Sequence, residues 1–495
     1  MTSEEGALSH SPRTRAALID RLAERLGPGG VLRDPADTAP FCSDWRGLYH
    51  GRTDAVLRPN GTEQLAEAVR LCAGAGDAAR IVPMGGNTSM VGGAAVGEDG
   101  SELVLSLSRM NRIRAIDPVD MTMTVEAGVT LKAAQDAAEA AGCLLPLSIS
   151  SEGSATIGGV LATNAGGNNT VRYGNARELV LGVEAVFADG SVFDGLRRLR
   201  KDNTGYALRQ ILVGSEGTLG IITAAVLQLH PRPNQIEVAL CGVDSPEAAL
   251  DLFQRFRRAD PSAIQAFEYM SGTGMALVNA LIPDATLPLA EPAPHYVLVE
   301  LATVRQDGTL RDLLEAVLGE ALETGAVLDA VIAESRAQRL NLWKLREEHA
   351  EAQKRAGGNV KNDVSVPVSR VPDLIRRASE ACERLIPGVR IAPFGHLGDG
   401  NIHFNLVQPE GADRDAFLAR DHEIMDAVCA VVRALDGSFS AEHGVGKLKP
   451  YMMPDWRGGA ELAAMRRVKH ALDPAGLLNP GKILPETEDR PGAAS

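Results

Sequence analysis

The sequence predicts an α+β protein of at least two domains, and three observations support this class. The chain has 495 residues, which is too long for a single core. The first 230 residues mix short strands and helices and are dense in glycine. The segment "HPRPN" (230–234) then separates this unit from a region with the element order βαββαβ, the ferredoxin-like arrangement.

Hydrophobic spacing and turn residues define the elements of the first unit. Residues 13–26 have the spacing of a short amphipathic helix. A second helix, with Thr62 predicted as its N-cap, leads into the strand "RIVP". "MTMTVEAG" alternates like a strand before the helix "VTLKAAQDAAEAAG". "LVLGVEAVFADGSVFDG" predicts two strands joined at Asp189-Gly190, so the unit as a whole is α+β.

In the second region strands alternate with helices. Its first six elements give the βαββαβ order, with a proline-rich loop between the second and third strands. Three further helices extend the region. The predicted bounds are strand 236–243, helix 246–259, strand 264–270, strand 296–303, helix 309–324 and strand 327–333, followed by helices 336–355, 371–385 and 413–435.

These patterns divide the chain into five segments. We expect an N-terminal helical segment (1–39), a glycine-dense domain (40–232) and a domain with the βαββαβ core (233–435). A glycine-rich C-terminal segment (436–484) and a disordered tail (485–495) complete the chain.

The composition predicts a soluble cytoplasmic protein. Lys plus Arg total 50 and Asp plus Glu 64, and the net charge of −14 argues against nucleic acid or an anionic membrane as the main partner. The six cysteines are scattered without a CxxC, as expected for reduced buried thiols. The start "MTSEEGALSH" shows no signal peptide, and no apolar stretch approaches the roughly 20 residues of a membrane helix. The oligomeric state stays open, a homodimer included.

Three glycine-rich stretches of the first unit are candidate ligand loops: "PMGGNTSMVGGA" (83–94), "SEGSATIGGVLATNAGG" (151–167) and "GSEGTLGIIT" (214–223). Glycine lets backbone N–H groups approach a ligand closely, and the polar side chains of residues 87–89 add donors, which suits a pyrophosphate. Each stretch alone is more often a turn that needs a positive φ angle. No GxGxxG follows a strand and opens a helix, so a Rossmann nucleotide site is not indicated.

The stretch "FGHLGDGNIHFNL" (394–406) contains two histidines, His396 and His403, on either side of a glycine turn. From residue 401 the pattern alternates, which puts His403 on a polar strand face opposite an apolar one. Histidines alone are more often solvated or hydrogen-bonded than metal-bound. However, "GSFSAEHGVGKLK" adds Glu442 and His443, and two imidazoles with a carboxylate leave coordination positions open, as a catalytic divalent site requires.

Glu442 and His443 are predicted to have different roles. Their surroundings are typical of a strand that runs into a loop, where adjacent side chains point to opposite faces. Both side chains could not then face one ion. We therefore assign Glu442 to the metal and His443 to proton transfer.

The glycine-rich stretches, taken together, carry a family resemblance. "PMGGNTSMVGGA", "IGGVLATNAGGNNTVRYGNARELVLGVEAVFADG" and "LRKDNTGYALRQILVGSEGTLGIIT" resemble the FAD domain of the vanillyl-alcohol oxidase / p-cresol methylhydroxylase (PCMH) flavoprotein superfamily. Within it, residues 40–484 are similar to the FAD-linked D-2-hydroxyacid dehydrogenases. This implies a two-subdomain PCMH-type FAD-binding domain, a substrate (cap) domain and a C-terminal segment that returns to the FAD domain. Because neither His nor Cys occurs in 83–94 or 148–167, we expect non-covalent FAD.

The resemblance also implies which residues contact FAD. The first two stretches would hold the pyrophosphate and the ribityl chain, the third would lie near the flavin, and the closing "HALDPAGLLNPGKIL" would bring Asn479 to the cofactor. The implied FAD-binding residues are Pro83, Gly85, Gly86, Asn87, Thr88, Ser89, Gly92, Gly93, Gly153, Ser154, Thr156, Ile157, Gly158, Gly159, Thr163, Asn164, Gly166, Glu216, Gly220, Ile221 and Asn479.

The metal ligands follow from the same resemblance. "GHLGDGNIH" and "SAEHG" match stretches that hold a divalent metal in this family, which carries the ligand role onto His396, His403 and Glu442. Zinc is the first choice, with manganese or cobalt as alternatives. His443 would then be the catalytic base and would also contact the substrate.

Three further residues match the family's substrate-binding positions: Arg346, Lys361 and Asn405. Two cations besides the metal indicate a substrate with two carboxylates, which favours D-2-hydroxyglutarate, oxidised to 2-oxoglutarate. Ala350 stands where some hydroxyglutarate enzymes have a hydroxyl, which keeps D-lactate, D-malate and glycolate as alternatives.

Other functions compete with this hypothesis. A metal-dependent hydrolase would also use two histidines and a carboxylate, but it would leave the glycine-rich stretches unexplained. A flavoprotein subunit that acts only within a larger electron-transfer assembly is a second alternative. The expected partner is an external electron acceptor (an electron-transfer flavoprotein, a quinone or a cytochrome), and oxidase activity towards O₂ is left open.

Overall fold

The structure is a computed structural model that describes residues 12–76 and 79–485. The first eleven residues, on which the signal-peptide prediction rests, and the predicted tail beyond residue 485 lie outside the described residues. Within the described ranges, no helix combines the length and the apolar character that crossing a bilayer requires.

The helices and strands follow one another in a mixed order along the chain. The helices are α1 (Pro12–Leu26), α2 (Pro35–Thr38), α3 (Thr62–Ala73), α4 (Leu131–Ala140), α5 (Ile157–Ala162), α6 (Thr170–Tyr173), α7 (Ala176–Leu179), α8 (Leu208–Leu212), α9 (Pro246–Ala259), α10 (Gly272–Leu281), α11 (Thr309–Glu323), α12 (Arg336–Glu347), α13 (His349–Arg355), α14 (Val371–Leu385), α15 (Arg414–Leu418), α16 (Asp421–Ala434), α17 (Met453–Trp456) and α18 (Ala460–Leu472). The strands are β1 (Val31–Leu32), β2 (Val56–Leu57), β3 (Arg80–Met84), β4 (Glu102–Ser106), β5 (Ile113–Asp117), β6 (Thr122–Glu126), β7 (Cys143–Leu144), β8 (Val180–Val186), β9 (Val192–Asp194), β10 (Ile221–Gln228), β11 (His230–Pro231), β12 (Gln235–Val243), β13 (Ile264–Ser271), β14 (His295–Thr303), β15 (Asp329–Ile332), β16 (Asn359–Val360), β17 (Asp363–Ser365), β18 (Arg390–Ile391), β19 (Phe394–His396), β20 (Asn401–His403) and β21 (Leu406–Val407).

Two main sheets and the short pair β11-β7 form the N-terminal domain. The first has the strand order β1-β2-β4-β3, and the second has the order β5-β6-β10-β8-β9 with every neighbouring pair antiparallel. Helix α1, predicted as part of a separate segment, packs in the same core as the first sheet and α3 through Leu18, Leu22 and Leu26. The N-terminal segment and the glycine-dense domain therefore share one core.

Thr62 differs from its predicted role. The N-cap of α3 is Gly61, and the Thr62 hydroxyl instead donates to Oε1 of Glu184 at 2.5 Å. Glu184 is a largely buried carboxylate that also accepts from Thr223 at 2.7 Å. A buried carboxylate needs such donors, and this need takes the hydroxyl away from the helix end.

A seven-stranded sheet organises the second domain, in the order β15-β12-β14-β13-β19-β20-β17. Its first four strands carry the ferredoxin-like core, with α9 and α11 packed in the same hydrophobic cluster. The remaining three strands extend the sheet from the edge of β13. The α+β fold class predicted from the sequence is confirmed.

The predicted helices of this domain differ in three places. Helix 336–355 is two helices, α12 and α13, divided at Glu348, and helix 413–435 is α15 and α16. Helix α10 lies where a proline-rich loop was expected. Ser271 caps it by accepting from the N–H of Gly274, and two glycines in its first turn weaken the sequence pattern of a helix.

The C-terminal segment lies against the N-terminal domain. Leu478 forms a parallel bridge with Ile81 of β3, and the N–H of Asn479 donates to the carbonyl of Ile81 at 2.7 Å. Leu477 and Leu478 are buried in the core that contains α1 and α3. The end of the described chain is thus part of the N-terminal domain's packing.

Candidate active site

A cavity of about 680 Å³ lies between the two domains. The glycine-rich stretches of the N-terminal domain line one side of it, and residues of the second domain and the C-terminal segment line the other. The second group contains all the predicted metal, base and substrate residues: Arg346, Lys361, His396, His403, Asn405, Glu442 and His443. Residues more than 300 positions apart in the sequence therefore face one space.

Close contact between two loops explains two of the glycines. A Cβ atom on Gly86 would lie 1.9 Å from the carbonyl oxygen of Ser154, and one on Gly85 would lie 2.3 Å from Oγ1 of Thr156. These positions need glycine for loop packing, whatever the cavity binds. Gly159 is different, because a Cβ there would meet only Oγ1 of Thr156, at 3.6 Å.

Most of the implied FAD-binding residues line the cavity, and five do not. Gly92 has a φ of +68° and lies against the ring of Tyr49, while Ile157 is buried in the hydrophobic core. Oδ1 of Asn164 accepts from the N–H of Arg177 at 2.9 Å, and this fixes its side chain within the domain. Gly153 and Asn479 are also absent from the lining. The lining residues are Pro83, Gly85, Gly86, Asn87, Thr88, Ser89, Gly93, Ser154, Thr156, Gly158, Gly159, Thr163, Gly166, Glu216, Gly220 and Ile221.

The cavity wall fits a cofactor with a pyrophosphate. Oγ1 of Thr156 is buried and has no hydrogen-bond partner among the described residues, although a buried hydroxyl normally has one. It lies beside Gly159, whose Cβ position meets no other atom within 4 Å, so the backbone there can approach a ligand closely. An unpaired donor in a glycine-lined wall is the arrangement that a phosphate oxygen would complete.

Glu216 joins the N-terminal domain to the C-terminal segment. Its Oε1 accepts from the N–H of Val445 and its Oε2 from that of Gly446, both at 2.8 Å. Burial raises the pKa of Glu216, and these two donors partly oppose that rise. Nδ2 of Asn479 also donates to the backbone carbonyl of Glu216, at 2.7 Å. Glu216 thus lines the cavity and also anchors the loop that carries the predicted base.

Two imidazoles and two carboxylates form a tight cluster on the opposite wall. The rings of His403 and His443 are nearly parallel, with 12° between their planes and 5.7 Å between their centroids. Oε1 of Glu442 lies 3.5 Å from Nε2 of His403 and 3.6 Å from Nε2 of His443. Asp363 lies at the other side of both rings, 3.7 Å from Nδ1 of His403 and 3.4 Å from Nδ1 of His443.

The expectation that strand geometry separates Glu442 from His443 is wrong. Residues 441–443 form bends and no strand. Oδ2 of Asp363 accepts from three consecutive N–H groups, those of Ala441, Glu442 and His443, at 3.0–3.2 Å. This carboxylate curls the chain around itself, so both neighbouring side chains face the same space.

Asp363 is better placed to orient the cluster than to bind a metal. Its Oδ2 accepts the three backbone donors, and its Oδ1 accepts from Nδ2 of Asn401 at 2.9 Å. Burial alone would raise the pKa of Asp363, but His443, His403 and the nearby donors hold it well below its ordinary range. With most of its lone pairs engaged, its remaining role is to hold the Nδ1 side of both rings.

His396 lies in β19, directly opposite Glu268 in β13. Oε1 of Glu268 contacts Nδ1 of His396 at 2.8 Å, and its Oε2 accepts from Nε of Arg346 at 2.7 Å. Burial opposes charge on both partners, yet their mutual attraction lowers the pKa of Glu268 to about 2 and raises that of His396 to about 9. Because a carboxylate only accepts, Nδ1 of His396 carries a proton and Nε2 is left for another partner.

The predicted ligands are two imidazoles and a carboxylate, the donor types that a zinc-type cation binds. His396 and His403 lie edge to face with 5.7 Å between ring centroids, and Glu442 is next to His403. The donors that lie within 4.8 Å of one another are instead those of Asp363, His403, Glu442 and His443. We favour the set with His396, since Asp363 is already engaged and a ligand histidine commonly donates its other N–H to a carboxylate, as His396 does.

The predicted substrate residues differ in how many protein contacts they make. Lys361 is half-buried and has no hydrogen bond or ion pair within the described ranges; burial and then Arg46 lower its pKa. Asn405 is engaged, because its Nδ2 donates to Gln353 at 2.9 Å and its Oδ1 accepts from the N–H of Asn362 at 3.2 Å. Only one N–H of this amide is left for a ligand.

The predicted strand 359–367 is two short strands in different sheets. β16 belongs to the sheet β16-β21-β18, and β17 belongs to the seven-stranded sheet. Lys361 lies at the break between them, where it lines the cavity. The change of sheet therefore places this lysine in the site without the strand alternation that the sequence indicated.

Sequence reasoning missed three residues of the site. Glu268 and Asp363 are the buried carboxylates described above, and Phe394 lies beneath Arg346, with 4.8 Å from the guanidinium carbon to the ring centre. A signal existed for Glu268, because it interrupts the apolar strand "IQAFEYM". A carboxylate in such a strand is buried and needs partners. Glu347 and Ala350 also line the cavity.

Comparisons with known proteins match both halves of the chain. Residues 53–195 match the family described as FAD binding domain, and residues 232–483 match FAD linked oxidases, C-terminal domain. D-2-hydroxyglutarate dehydrogenase of Xanthomonas citri pv. viticola is 37% identical over 458 residues, 92% of this chain and 94% of the relative. The mitochondrial enzyme of that name from Bos taurus is 37% identical over 93% of this chain and 82% of the relative.

Solved structures show the same fold at low sequence identity. p-Cresol methylhydroxylase with substrate bound has a TM-score of 0.73 at 16% identity, over 97% of this chain and 98% of that one. Alkyldihydroxyacetonephosphate synthase has a TM-score of 0.72 at 18% identity, over 94% of this chain and 85% of that one.

Proposed function

The chain belongs to the FAD-linked D-2-hydroxyacid dehydrogenase family of oxidoreductases, and we propose that it oxidises D-2-hydroxyglutarate to 2-oxoglutarate with FAD and a divalent cation. One observation carries the proposal. The glycine-lined wall with the unpaired Thr156 hydroxyl faces Arg346, Lys361 and the imidazole cluster across a single cavity.

The two cofactors would divide the chemistry. FAD, when bound, supplies the acceptor for the two electrons of the reaction. A divalent cation held by His396, His403 and Glu442 supplies Lewis acidity to the substrate hydroxyl. Zinc is the first choice, with manganese and cobalt as alternatives, because the donors are two imidazoles and a carboxylate.

His443 is the proposed general base. Its Nδ1 faces Asp363 at 3.4 Å, and a carboxylate beside this nitrogen favours a proton there, so Nε2 would be the nitrogen that takes the substrate's proton. The hydroxyl group on C2 of the substrate gives its proton to this nitrogen. C2 loses its hydrogen together with two electrons, so that it becomes a ketone carbon. Asp363 stays ionised and holds the ring while it gains and releases the proton.

Arg346 and Lys361 are the proposed carboxylate-binding residues. Arg346 uses Nε for Glu268, and its two terminal nitrogens have no hydrogen bond within the described part of the chain. A guanidinium edge of this kind suits a carboxylate. Lys361 adds a second cation in the same cavity, which supports a substrate with a second carboxylate.

Ala350 keeps three smaller hydroxyacids as candidate substrates. It lines the cavity four residues after Arg346, in the following helix α13, and offers no hydroxyl to a distal carboxylate. D-Malate or D-lactate would need less contact there, and glycolate would need none.

The physiological electron acceptor, which we predict to be an electron-transfer flavoprotein, a quinone or a cytochrome, is a separate question. The cytoplasmic location and a homodimeric state also stay predictions.

Anaerobic reduction of the bound flavin tests the proposal. The purified protein should be yellow, and D-2-hydroxyglutarate should bleach its flavin absorbance, whereas the L-enantiomer should not. The kcat/KM values for D-lactate, D-malate and glycolate, compared with that for D-2-hydroxyglutarate, decide among these four candidate substrates. Absence of flavin absorbance, or equal bleaching by both enantiomers, would contradict the assignment.

A further inference from the structure

Glu268 contacts two functional groups of the cavity at once. It lies in the middle of β13, its side chain is fully buried, and its two oxygens are separately engaged by Arg346 at 2.7 Å and His396 at 2.8 Å. Within the described ranges, these are the hydrogen bonds that its carboxylate makes. A buried carboxylate with one donor on each oxygen is balanced only while both partners stay in place.

The strand register fixes this arrangement. Glu268 and His396 are directly opposite each other in the antiparallel pair β13–β19, so their side chains lie on the same face of the sheet. Arg346 reaches the same carboxylate from α12 and lies over the ring of Phe394, the first residue of β19. Both partners of Glu268 are therefore held by the same pair of strands.

Each contact leaves a functional atom free. With Nδ1 of His396 donating to Glu268, Nε2 is the ring nitrogen left for a cation, which would displace a proton held there. With Nε of Arg346 donating to Glu268, the terminal nitrogens are available for a substrate carboxylate. The Glu268 side chain therefore orients both His396, the proposed metal ligand, and Arg346, the proposed carboxylate-binding residue.

We propose that Glu268 is a positioning residue that couples cation binding at His396 to substrate binding at Arg346. The inference rests on the proposed function, because it takes His396 as a metal ligand and Arg346 as a carboxylate-binding residue. A bound cation draws electron density from His396, which strengthens its bond to Glu268 and alters the hold of that carboxylate on Arg346. By reciprocity, loss of Arg346 changes cation affinity although Arg346 touches no cation.

The variant E268Q breaks the arrangement with little change in shape. A glutamine amide has one accepting and one donating end, so one of the two contacts becomes a donor facing a donor. Co²⁺ affinity, followed by visible absorption in the metal-depleted, FAD-loaded protein, should fall about 10- to 100-fold. The KM for D-2-hydroxyglutarate should rise as well. R346M should shift Co²⁺ affinity by about fivefold or more.

Glu300 provides the matched control. It is a buried carboxylate in the adjacent strand β14, it accepts from Gln265 and Trp343 at 2.6 Å each, and it does not line the cavity. E300Q should lower thermal stability and leave Co²⁺ affinity and KM unchanged. If E268Q loses FAD, the variants E268D and R346M replace it. Their melting temperature and flavin content are then measured as well.

The outcomes are separable. Wild-type protein that binds no Co²⁺ and is not bleached by any hydroxyacid would refute the proposed function itself. Wild-type protein that does both, together with E268Q of unchanged Co²⁺ affinity and KM, would overturn the role of Glu268 alone. That role would also be overturned if E300Q reproduced the losses of E268Q, or if R346M left Co²⁺ affinity unaltered.

Discussion

The imidazoles of His403 and His443 lie in parallel, 5.7 Å apart, with Asp363 at the Nδ1 side of both rings and Glu442 at the Nε2 side of both. One carboxylate thus lies beside the same nitrogen of two rings whose proposed tasks differ. His403 would hold a cation and His443 would take a proton, and each task needs a free Nε2.

Replacing His443 with alanine should remove the proton acceptor and leave the glycine-lined wall unchanged. We expect the rate of flavin reduction by D-2-hydroxyglutarate to fall about 10²- to 10⁴-fold. Stopped-flow absorbance under anaerobic conditions measures it, and flavin content is the control. A variant that binds FAD and keeps the wild-type rate would refute the role of His443.

Asp363→Asn should impair both rings. The amide would present a donor where Asp363 now accepts from Asn401, and it would weaken the hold on residues 441–443. We expect flavin reduction to slow about 10- to 100-fold. Asp473 is the matched control, because its carboxylate also accepts backbone N–H groups, those of Leu477 and Leu478 at 2.8 Å, but it lies outside the cavity lining. D473N that slows the reaction equally would argue against a specific role.

The effect of Lys361→Met on KM should depend on whether the substrate has a second carboxylate. Loss of this cation should raise the KM for D-2-hydroxyglutarate about tenfold or more, since hydrogen bonds to charged groups contribute about 1.5–3 kcal/mol. The KM for D-lactate should stay near its wild-type value. Lys354, exposed on α13, offers the control K354M. An equal change in KM for both substrates would show that Lys361 does not bind the distal carboxylate.

Removal of divalent cations should abolish oxidation and spare the flavin spectrum. Dialysis against a chelator, followed by addition of Zn²⁺, Mn²⁺ or Co²⁺ in turn, separates the cation requirement from FAD binding. Activity that persists after the metal content has been shown to be negligible would rule out the proposed role of His396, His403 and Glu442.

Gly86→Ala should disrupt the cofactor wall, because a Cβ there would lie 1.9 Å from the carbonyl oxygen of Ser154. Overpacking of this kind costs about 1–3 kcal/mol, and we expect flavin to be lost on gel filtration. Gly153→Ala is the control, because its Cβ would meet no atom within 4 Å. Retention of flavin by G86A to the same extent as by G153A would contradict the packing argument.

Local signals predicted the elements of the fold well. The bounds of α9 agree with the prediction because Ser245 caps the helix and Pro246 occupies its first position. Helix α14 also has its predicted bounds, with a strongly amphipathic face. Helix α10 escaped prediction because its glycines and short length resemble a loop.

The candidate site was predictable only where a motif or resemblance named the residue. Glu268 binds His396 across 128 positions, and Asp363 accepts from His443 across 80, so neither contact leaves a local pattern. The strand rule also failed at Glu442 and His443. A carboxylate from another strand sets the backbone there, and alternation applies only to extended chain.

Glu216 bears on how a substrate could enter. Its carboxylate holds Val445 and Gly446, while Arg172 of the N-terminal domain donates to the carbonyl of Ala302 in the other domain at 2.8 Å. Because Asp363 of the second domain holds residues 441–443 and Glu216 holds residues 445 and 446, swinging the domains apart would pull on one short segment from both ends. Trp45 lines the cavity and is 62% exposed, so entry beside this side chain would need no such movement of the domains.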